Sequence, residues 1–175
     1  MTSRIPPPAS STEHFRFADF IRLNVEPIVV DWINFGGTRT PASDGMTKLA
    51  LRDHIEEILN FVADDLEALQ TKQEQSEKSH GLGPDDSPFM QSAAEVHAAL
   101  RLTDGFDIDQ MVSEYRALRA SVVKQWIAHN KVLAATDLED LTRFNEATDQ
   151  AMTESVAHYT KSINRSRNLF GCSWA

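Results

Sequence analysis

Two long stretches of this 175-residue chain contain neither glycine nor proline. One lies between Met46 and His80, and the other lies between Phe106 and Phe170. Chains built from strands need turn residues about every 8–12 positions, and glycine and proline supply many of those turns. Uninterrupted stretches of this length therefore favour helices over short strands.

Apolar residues recur in these stretches at the spacing of an amphipathic helix. One stripe at 3.6-residue spacing runs from Leu51 to Leu69, a second from Ile108 to Trp126 and a third from Leu141 to Phe170. A shorter stripe runs from Phe89 to Leu100, and a further helix is predicted over residues 14–35. Five helices without a convincing strand predict an all-α fold, a single bundle with a long C-terminal helix.

Local signals at the predicted helix ends agree with these placements. Thr136 to Glu139 has the pattern of a capping box, Asp107 to Gln110 has a weaker version of it, and Ser87 followed by Pro88 is typical of a helix start. Pro27 lies inside the first predicted helix and should kink or restart it, because proline lacks the amide hydrogen. The polar segment from Lys72 to Asp86 predicts a flexible surface loop.

The charge balance limits the classes of partner. Seventeen basic and 26 acidic side chains give a formal net charge of −9, whereas nucleic acids and anionic membranes are bound by clustered basic residues. The single cysteine, Cys172, cannot form an internal disulfide, and no apolar run approaches the roughly 18–20 residues that span a bilayer. Met1 to Thr12 has three prolines where a signal peptide needs its apolar core. We therefore expect a cytoplasmic protein that neither binds nucleic acid nor inserts into a membrane.

The sequence offers few candidates for catalysis or metal binding. A di-iron bundle needs two Glu-x-x-His pairs on inward helix faces, and the single pair here, Glu77 and His80, lies in a glycine-containing linker. No nucleophile elbow or phosphate-binding glycine loop occurs. His97, on the apolar face that ends at Leu100, is the candidate haem ligand, although such a histidine is more often a hydrogen-bonded core residue. We expect no catalytic residue, no metal and no cofactor.

One arrangement of polar residues is a candidate signalling cluster. Arg119 lies among the apolar positions of the second stripe, Asn145 lies at the inner edge of the last helix, and Asp149 follows one turn later. Because an unpaired buried charge is costly, Arg119 is predicted to pair with Glu146 or Asp149, with His97 nearby. In the alternative, Arg119 buries its stem at the edge of the core and keeps its head in solvent.

Four segments of the chain carry the motifs of a known family. Ala94 to Phe106 and Asp107 to Ser121 resemble the RsbRD-type N-terminal sensory domain, which precedes bacterial sensor histidine kinases and occurs in stressosome co-antagonist proteins. Leu51 to Leu59 and Asp137 to Ala151 are similar to the kinase-attached version. The resemblance covers about Phe17 to Phe170, almost the whole chain.

The resemblance implies a non-haem, globin-like input domain of about five to six helices. Such a domain dimerises and passes a signal through its C-terminal helix to a downstream kinase or regulator domain.

Residues 137–170 would form a helix on the order of 50 Å long. Its apolar edge, Tyr159, Ile163 and Phe170, is predicted to meet a second copy of the chain. The corresponding boundaries are a leader at 1–12, the helical domain at 13–170 and a tail at 171–175.

The sequence lacks the phosphoacceptor box and the ATP-binding glycine motif of the kinases. We therefore expect this chain to be no enzyme itself, and to be either a part of a sensor kinase or a stand-alone relative. The alternative function is a stand-alone globin-like protein that binds haem or a small ligand.

Overall fold

The computed structural model describes residues 16–52, 54–79, 92–130 and 134–171. Within these ranges the secondary structure is helical, without a strand. The helices are α1 (Phe17–Leu23), α2 (Val25–Gly36), α3 (Lys48–Arg52), α4 (Ile55–Glu67), α5 (Lys72–Ser79), α6 (Ala93–Thr103), α7 (Ile108–His129) and α8 (Ala135–Gly171). The predicted all-α bundle with a long C-terminal helix is confirmed, and the short α3 and α5 are additional.

The first predicted helix is two helices, which meet at Asn24. Pro27 is the third residue of α2 and has no amide hydrogen to donate to the carbonyl of Leu23. The amide of Asn24 instead closes α1 by donating to Phe20 O at 3.0 Å, and Ile28 N donates to Asn24 O at 3.2 Å to begin α2. The expected effect of Pro27 is thus a restart of the helix rather than a kink within it.

The main core forms where α1, α2, α4, α7 and α8 meet. The ring of Phe17 lies 4.4 Å from that of Trp126 and 4.6 Å from that of Phe144, measured between centroids. Side chains of this size each contribute about 1.5–3 kcal/mol when they are fully buried. Of the stripe predicted from Leu51 to Leu69, the α4 residues Ile55, Ile58, Leu59, Val62 and Leu66 are buried in this core. The ends of the prediction are wrong, because Leu51 belongs to α3 and Leu69, which follows the end of α4, is fully exposed.

Two of the three predicted helix starts fall on described residues. Asp107 and Gln110 form the expected capping box at α7, each side chain bonded to the other's backbone amide. The prediction for Thr136 is wrong, because α8 already begins at Ala135. There the carboxylate of Asp137 accepts from the amide of Ala134 at 2.6 Å. Ser87 and Pro88 lie outside the described residues.

Two helix starts were not predicted, although their sequence patterns are visible. Ser92 and Glu95 form a capping box at α6. Thr71 and Glu74 form the same reciprocal pair before α5, and the amide of Thr71 lowers the pKa of the Glu74 carboxyl. The prediction of a loop is therefore wrong for residues 72–79, since capping and i, i+4 pairing can stabilise a helix that is polar on all sides.

Helix α8 contains 37 residues, which corresponds to about 55 Å. It packs against α1, α4, α6 and α7, and its last buried side chain among those described is Tyr159. The side chains of residues 164–168 are exposed. The helix therefore continues for twelve residues, about 18 Å, beyond its last buried position. None of the helices in the described ranges is both long and apolar enough to cross a bilayer.

Candidate functional site: a buried polar cluster between α6 and α7

Three ionisable side chains lie in the interior between α6 and α7 with no exposed surface. His97 and Arg101 come from α6, one turn apart, and Glu114 comes from α7. Residues separated by four positions share one face of a helix, so both α6 side chains point toward α7. Buried charges of this kind are stable only when they are paired and hydrogen-bonded. We refer to these three residues as the polar cluster.

The centre of the polar cluster is an ion pair between Arg101 and Glu114. The Nε of Arg101 lies 2.9 Å from Oε2 and 3.1 Å from Oε1 of Glu114. Its two Nη atoms donate to backbone carbonyls at the end of α3, at 3.3 Å to Ala50 O and 3.1 Å to Leu51 O. These carbonyls belong to the last turn of a helix, where a cation is electrostatically favourable. Arg101 therefore connects α3 to α6 and α7.

His97 lies at the edge of the ion pair and among aromatic rings. Its Nε2 is 3.3 Å from Oε2 of Glu114. Its ring centroid is 5.4 Å from that of Trp32 and 5.7 Å from that of Tyr115, which it meets edge-on at 88°. The indole of Trp32 also donates to Leu51 O at 3.0 Å, the carbonyl that Arg101 binds. The aromatic side chains thus enclose the polar cluster from α2 and α7.

These surroundings do not fit a haem ligand. The Nε2 of His97 faces a carboxylate that Arg101 holds in place, and both neighbouring rings belong to the packed core. A porphyrin beside this nitrogen would have to displace Glu114 or an aromatic ring. We therefore interpret His97 as a structural part of the polar cluster rather than as a haem ligand.

A glycine at the end of α2 makes room for the carboxylate of Glu114. A methyl group at Gly36 would lie 3.2 Å from Oε1 of Glu114 and 3.3 Å from Cδ2 of Leu51. Contacts this close would force the carboxylate or the leucine to move. The backbone of α2 can therefore approach the polar cluster because this position has no side chain.

Hydroxyl groups link the polar cluster to α8. The hydroxyl of Tyr115 lies 2.8 Å from the Oγ of Ser155, and that Oγ donates to Ala94 O at 2.7 Å. One turn later in α8, the hydroxyl of Tyr159 donates to Phe106 O at 2.9 Å. Burial raises the pKa of Tyr159, and the negative charge of Asp107 adds to this, so the hydroxyl remains a donor at neutral pH. Two buried side chains of α8 are thus fixed to α6, α7 and the turn between them.

The predicted signalling cluster lies elsewhere and is partly exposed. Arg119 forms an ion pair with Asp149, which confirms one of the two expected pairings, and these side chains are 33% and 52% exposed. Asn145 lines the same groove between α7 and α8 as Arg119, and Glu146 is half-buried on α8. The charged head of Arg119 thus stays in partial contact with solvent, as in the alternative interpretation.

His97 does not join the Arg119–Asp149 pair, so that part of the prediction is wrong. His97 contacts Glu114, which precedes Arg119 by five positions on α7. Five residues of α-helix correspond to a rotation of about 140° beyond one full turn. Glu114 and Arg119 therefore project from different sides of α7, and His97 reaches only the inner one.

The predicted apolar edge of α8 also needs correction. Tyr159 is only 7% exposed and packs with Ala98 and Met111 of its own chain, where Ile163 lies half-buried against it. Tyr159 is therefore unavailable to a second copy of the chain, because α6 and α7 already cover it. Phe170 belongs to α8, but its side chain lies outside the described residues.

Arg101 and Glu114 were not predicted as site residues, although their positions in the sequence contain a signal for them. Arg101 follows His97 by four positions and continues the same face of α6. Glu114 lies three positions after Met111 and four before Leu118, both of which are buried on α7. A basic and an acidic residue on the apolar faces of neighbouring helices indicate a buried ion pair.

Within the described part of the chain, no group of three or more histidine, cysteine, aspartate or glutamate side chains is arranged to hold a metal ion. The polar cluster instead contains one cation, one anion and an imidazole, each contacted by residues of other helices. The polar cluster therefore connects α3, α6 and α7 through buried charges that neutralise each other.

No family model, curated protein or solved structure matches the chain. The resemblance to RsbRD-type sensory domains consequently depends on the sequence motifs alone, and the globin-like arrangement of the helices stays a prediction.

Proposed function

We propose that this chain is a signal-input domain of a bacterial two-component histidine kinase or a related regulator. In this proposal the chain acts as a cytoplasmic homodimer, catalyses no reaction itself, and transmits its signal through α8. The observation that carries the proposal is the length of α8 beyond its last buried residue. The sequence motifs shared with RsbRD-type sensory domains support the same function.

The end of α8 after Tyr159, residues 160–171, is well suited to an output element; we call it the projecting part, of which Ile163 is still half-buried against the bundle. Residues 160–171 remain helical, and Lys161, Arg165 and Arg167 are exposed. Because α8 is one continuous helix of 37 residues, a displacement of its packed part is carried to its end. Pairing of two such ends in a dimer would convert the displacement into a change between protomers.

The buried hydroxyls of Tyr115 and Ser155 provide one connection between the rest of the bundle and α8. Tyr115 follows Glu114 on α7, and its hydroxyl contacts Ser155, the buried residue of α8 one turn before Tyr159. A rearrangement of α6 or α7 therefore acts directly on α8 at this position. We infer that this contact couples a ligand-induced or partner-induced change in the bundle to the output helix.

Double electron–electron resonance, which measures the distance between two spin labels, tests both the proposed dimer and the proposed coupling of α8 to the bundle. A nitroxide label is attached at Asn164→Cys in a Cys172→Ser background, so that each chain carries one label on an exposed position of α8. We expect a defined distance between the labels of two protomers. Ser155→Ala removes the buried contact with Tyr115 and is expected to shift or broaden that distance distribution.

The matched control is Thr153→Ala, which removes an exposed hydroxyl that bonds only within α8, to Asp149 O. It should leave the distance distribution unchanged. If the labels give no distance between protomers at concentrations where the chain is folded, the proposed dimer is wrong. If Ser155→Ala and Thr153→Ala behave alike, α8 is not coupled to the bundle through Tyr115.

A further inference from the structure

A groove of about 730 Å³ runs along the surface between α7 and α8, on the opposite side of α7 from the polar cluster. Its apolar lining comes from Ala120, Val123 and Ile127 of α7 and from Leu141 of α8. The three α7 residues are spaced by three and four positions, so they form one stripe about two turns long. An apolar stripe of this kind normally packs against another helix.

The apolar surface is accessible and continues beyond the groove. Ile127 is 49% exposed, and Leu138 is 71% exposed. Leu138 precedes Asn145, a groove residue, by seven positions, which places both on nearly the same side of α8. Exposed apolar side chains along a groove are typical of a binding site for another protein.

The groove is basic although the chain carries a formal net charge of −9. Arg116, Arg119 and Lys124 lie along it within nine residues of α7. In the described ranges, Arg116 and Lys124 have no ion-pair partner, and the Nε of Arg119 is shielded from solvent without a hydrogen-bond partner. Asp149, which pairs with Arg119, offsets one of these three charges. A ligand with carboxylates beside an apolar stripe would complement both properties.

We propose that this groove binds an amphipathic helix of a partner protein, whose apolar stripe is flanked by aspartate or glutamate. Helix-in-groove binding uses apolar anchors at i, i+3/i+4 and i+7, which is the spacing that the groove presents. The acidic flanks would pair with Arg116 and Lys124 and orient the helix. This interaction goes beyond the proposed signal-input function and does not require the paired ends of α8.

A helix fits the observations better than a small molecule or a membrane surface. Small-molecule sites enclose most of their ligand, whereas this groove is open, and Leu138, on nearly the same side of α8 as the groove residue Asn145, is exposed as well. A membrane surface would be attracted by the three cations but repelled by the net negative charge of the chain. An elongated acidic and apolar ligand satisfies the length, the openness and the local charge together.

The test uses fluorescent helical peptides of about 14 residues, roughly 21 Å long. One carries a leucine stripe flanked by glutamates, and its counterpart has every glutamate replaced by lysine. We expect fluorescence anisotropy to show binding of the glutamate peptide at least about tenfold tighter than binding of the lysine peptide. Amide NMR shifts on addition of the glutamate peptide should concentrate on residues 116–127 and 138–145.

Two pairs of variants locate the site. Ile127→Asp should weaken binding at least about tenfold, whereas Leu69→Asp, at a fully exposed leucine elsewhere, should not change it. Lys124→Glu should weaken binding severalfold, whereas Lys161→Glu, at an exposed lysine on the projecting part of α8, should not. All four positions are on the surface, so these variants keep the buried core intact.

Other outcomes would overturn the proposal. Equal binding of the two peptides, or no binding by either up to about 1 mM, would contradict an acidic helical ligand. Binding to vesicles of phosphatidylserine and phosphatidylcholine that is lost in Ile127→Asp, without peptide binding, would identify a membrane surface instead. A dimer that becomes monomeric in Ile127→Asp would identify a second copy of the chain as the occupant.

Discussion

The Nε of Arg101 lies 2.9 Å from Oε2 of Glu114, and neither side chain has any surface exposed to solvent. Removing two such charges from water costs several kcal/mol per ion, and their attraction offsets this only when the remaining hydrogen-bonding groups are satisfied. Here the carbonyls of Ala50 and Leu51 accept from the guanidinium. The ion pair therefore behaves as one unit, whose halves cannot be removed independently.

Loss of either half should destabilise the protein strongly. Arg101→Met leaves the Glu114 carboxylate buried without its cation, and we expect the free energy of unfolding to fall by about 3–5 kcal/mol. The double variant Arg101→Met, Glu114→Leu leaves no charge behind and should lose less than the sum of the single variants. Urea unfolding, followed by circular dichroism, measures all three.

Another arginine, Arg52, provides the control because its ion pairs are not buried. Arg52 pairs with Glu26 and Glu56 on the surface, where water and salt screen the charges. Arg52→Met should therefore have a much smaller effect than Arg101→Met. Equal losses in the two arginine variants would contradict the importance of burial for the Arg101–Glu114 pair.

Two adjacent glycines allow a test of the space beside Glu114. Gly36→Ala brings a methyl group within 3.2 Å of a Glu114 oxygen, whereas at Gly37 the nearest atom, Ile33 O, lies at 3.4 Å. Replacing a helical glycine by alanine normally stabilises a protein by about 0.4–1 kcal/mol. We expect Gly37→Ala to show this gain and Gly36→Ala to lose stability, as measured by thermal unfolding. A gain in both variants would mean that the carboxylate moves without cost.

The link between the start of α1 and α8 should make stability depend on pH. Burial raises the pKa of Asp140, but the hydrogen bond from the Arg16 guanidinium and that from the amide of Phe17 outweigh it, and the pKa stays below its ordinary value. A carboxyl whose pKa is lower in the folded state stabilises the protein above the pKa of its unfolded form, about 4. This stabilisation is lost as the pH falls through the lower folded-state value.

Asp140→Asn should therefore reduce the free energy of unfolding by about 1–3 kcal/mol near pH 7 and flatten its decrease below about pH 4. Urea unfolding at a series of pH values provides the measurement. Asp44→Asn, at an exposed aspartate, is the matched control and should keep the acid dependence of the parent chain. If the free energy of unfolding of Asp140→Asn decreases below about pH 4 as steeply as that of the parent chain, other carboxyls determine the acid dependence.

The bundle was predictable from sequence because its determinants are local. The apolar stripes of α4, α7 and α8 and the absence of glycine and proline specify amphipathic helices without knowledge of their partners. The break between α1 and α2 follows from Pro27 in the same way, but its position at Asn24 depends on which hydrogen bond the proline removes. Position within an element is thus harder to predict than the element itself.

The polar cluster was only partly predictable, because it depends on how two helices face each other. His97 was recognised by its apolar neighbours, but its carboxylate partner is separated from it by a turn and lies on another helix. The Arg119–Asp149 pair was one of the two pairings predicted for Arg119, because both residues flank apolar stripes that meet. Periodicity assigns a residue to a helix face, and only the packing of helices assigns its partner.

The hydrogen bonds of Ser155 and Tyr159 determine how any segment joined to the end of α8 is oriented. These two buried hydroxyls fix the rotational phase of the helix, and each residue inserted after them turns the remainder by about 100° and advances it by 1.5 Å. A linker grafted onto α8 would therefore preserve the orientation of whatever follows to within about 20° only when its added length is close to a whole number of turns, at about 7, 11 or 18 residues. Homologues and engineered fusions alike should show this periodic tolerance, with intermediate lengths presenting the wrong face.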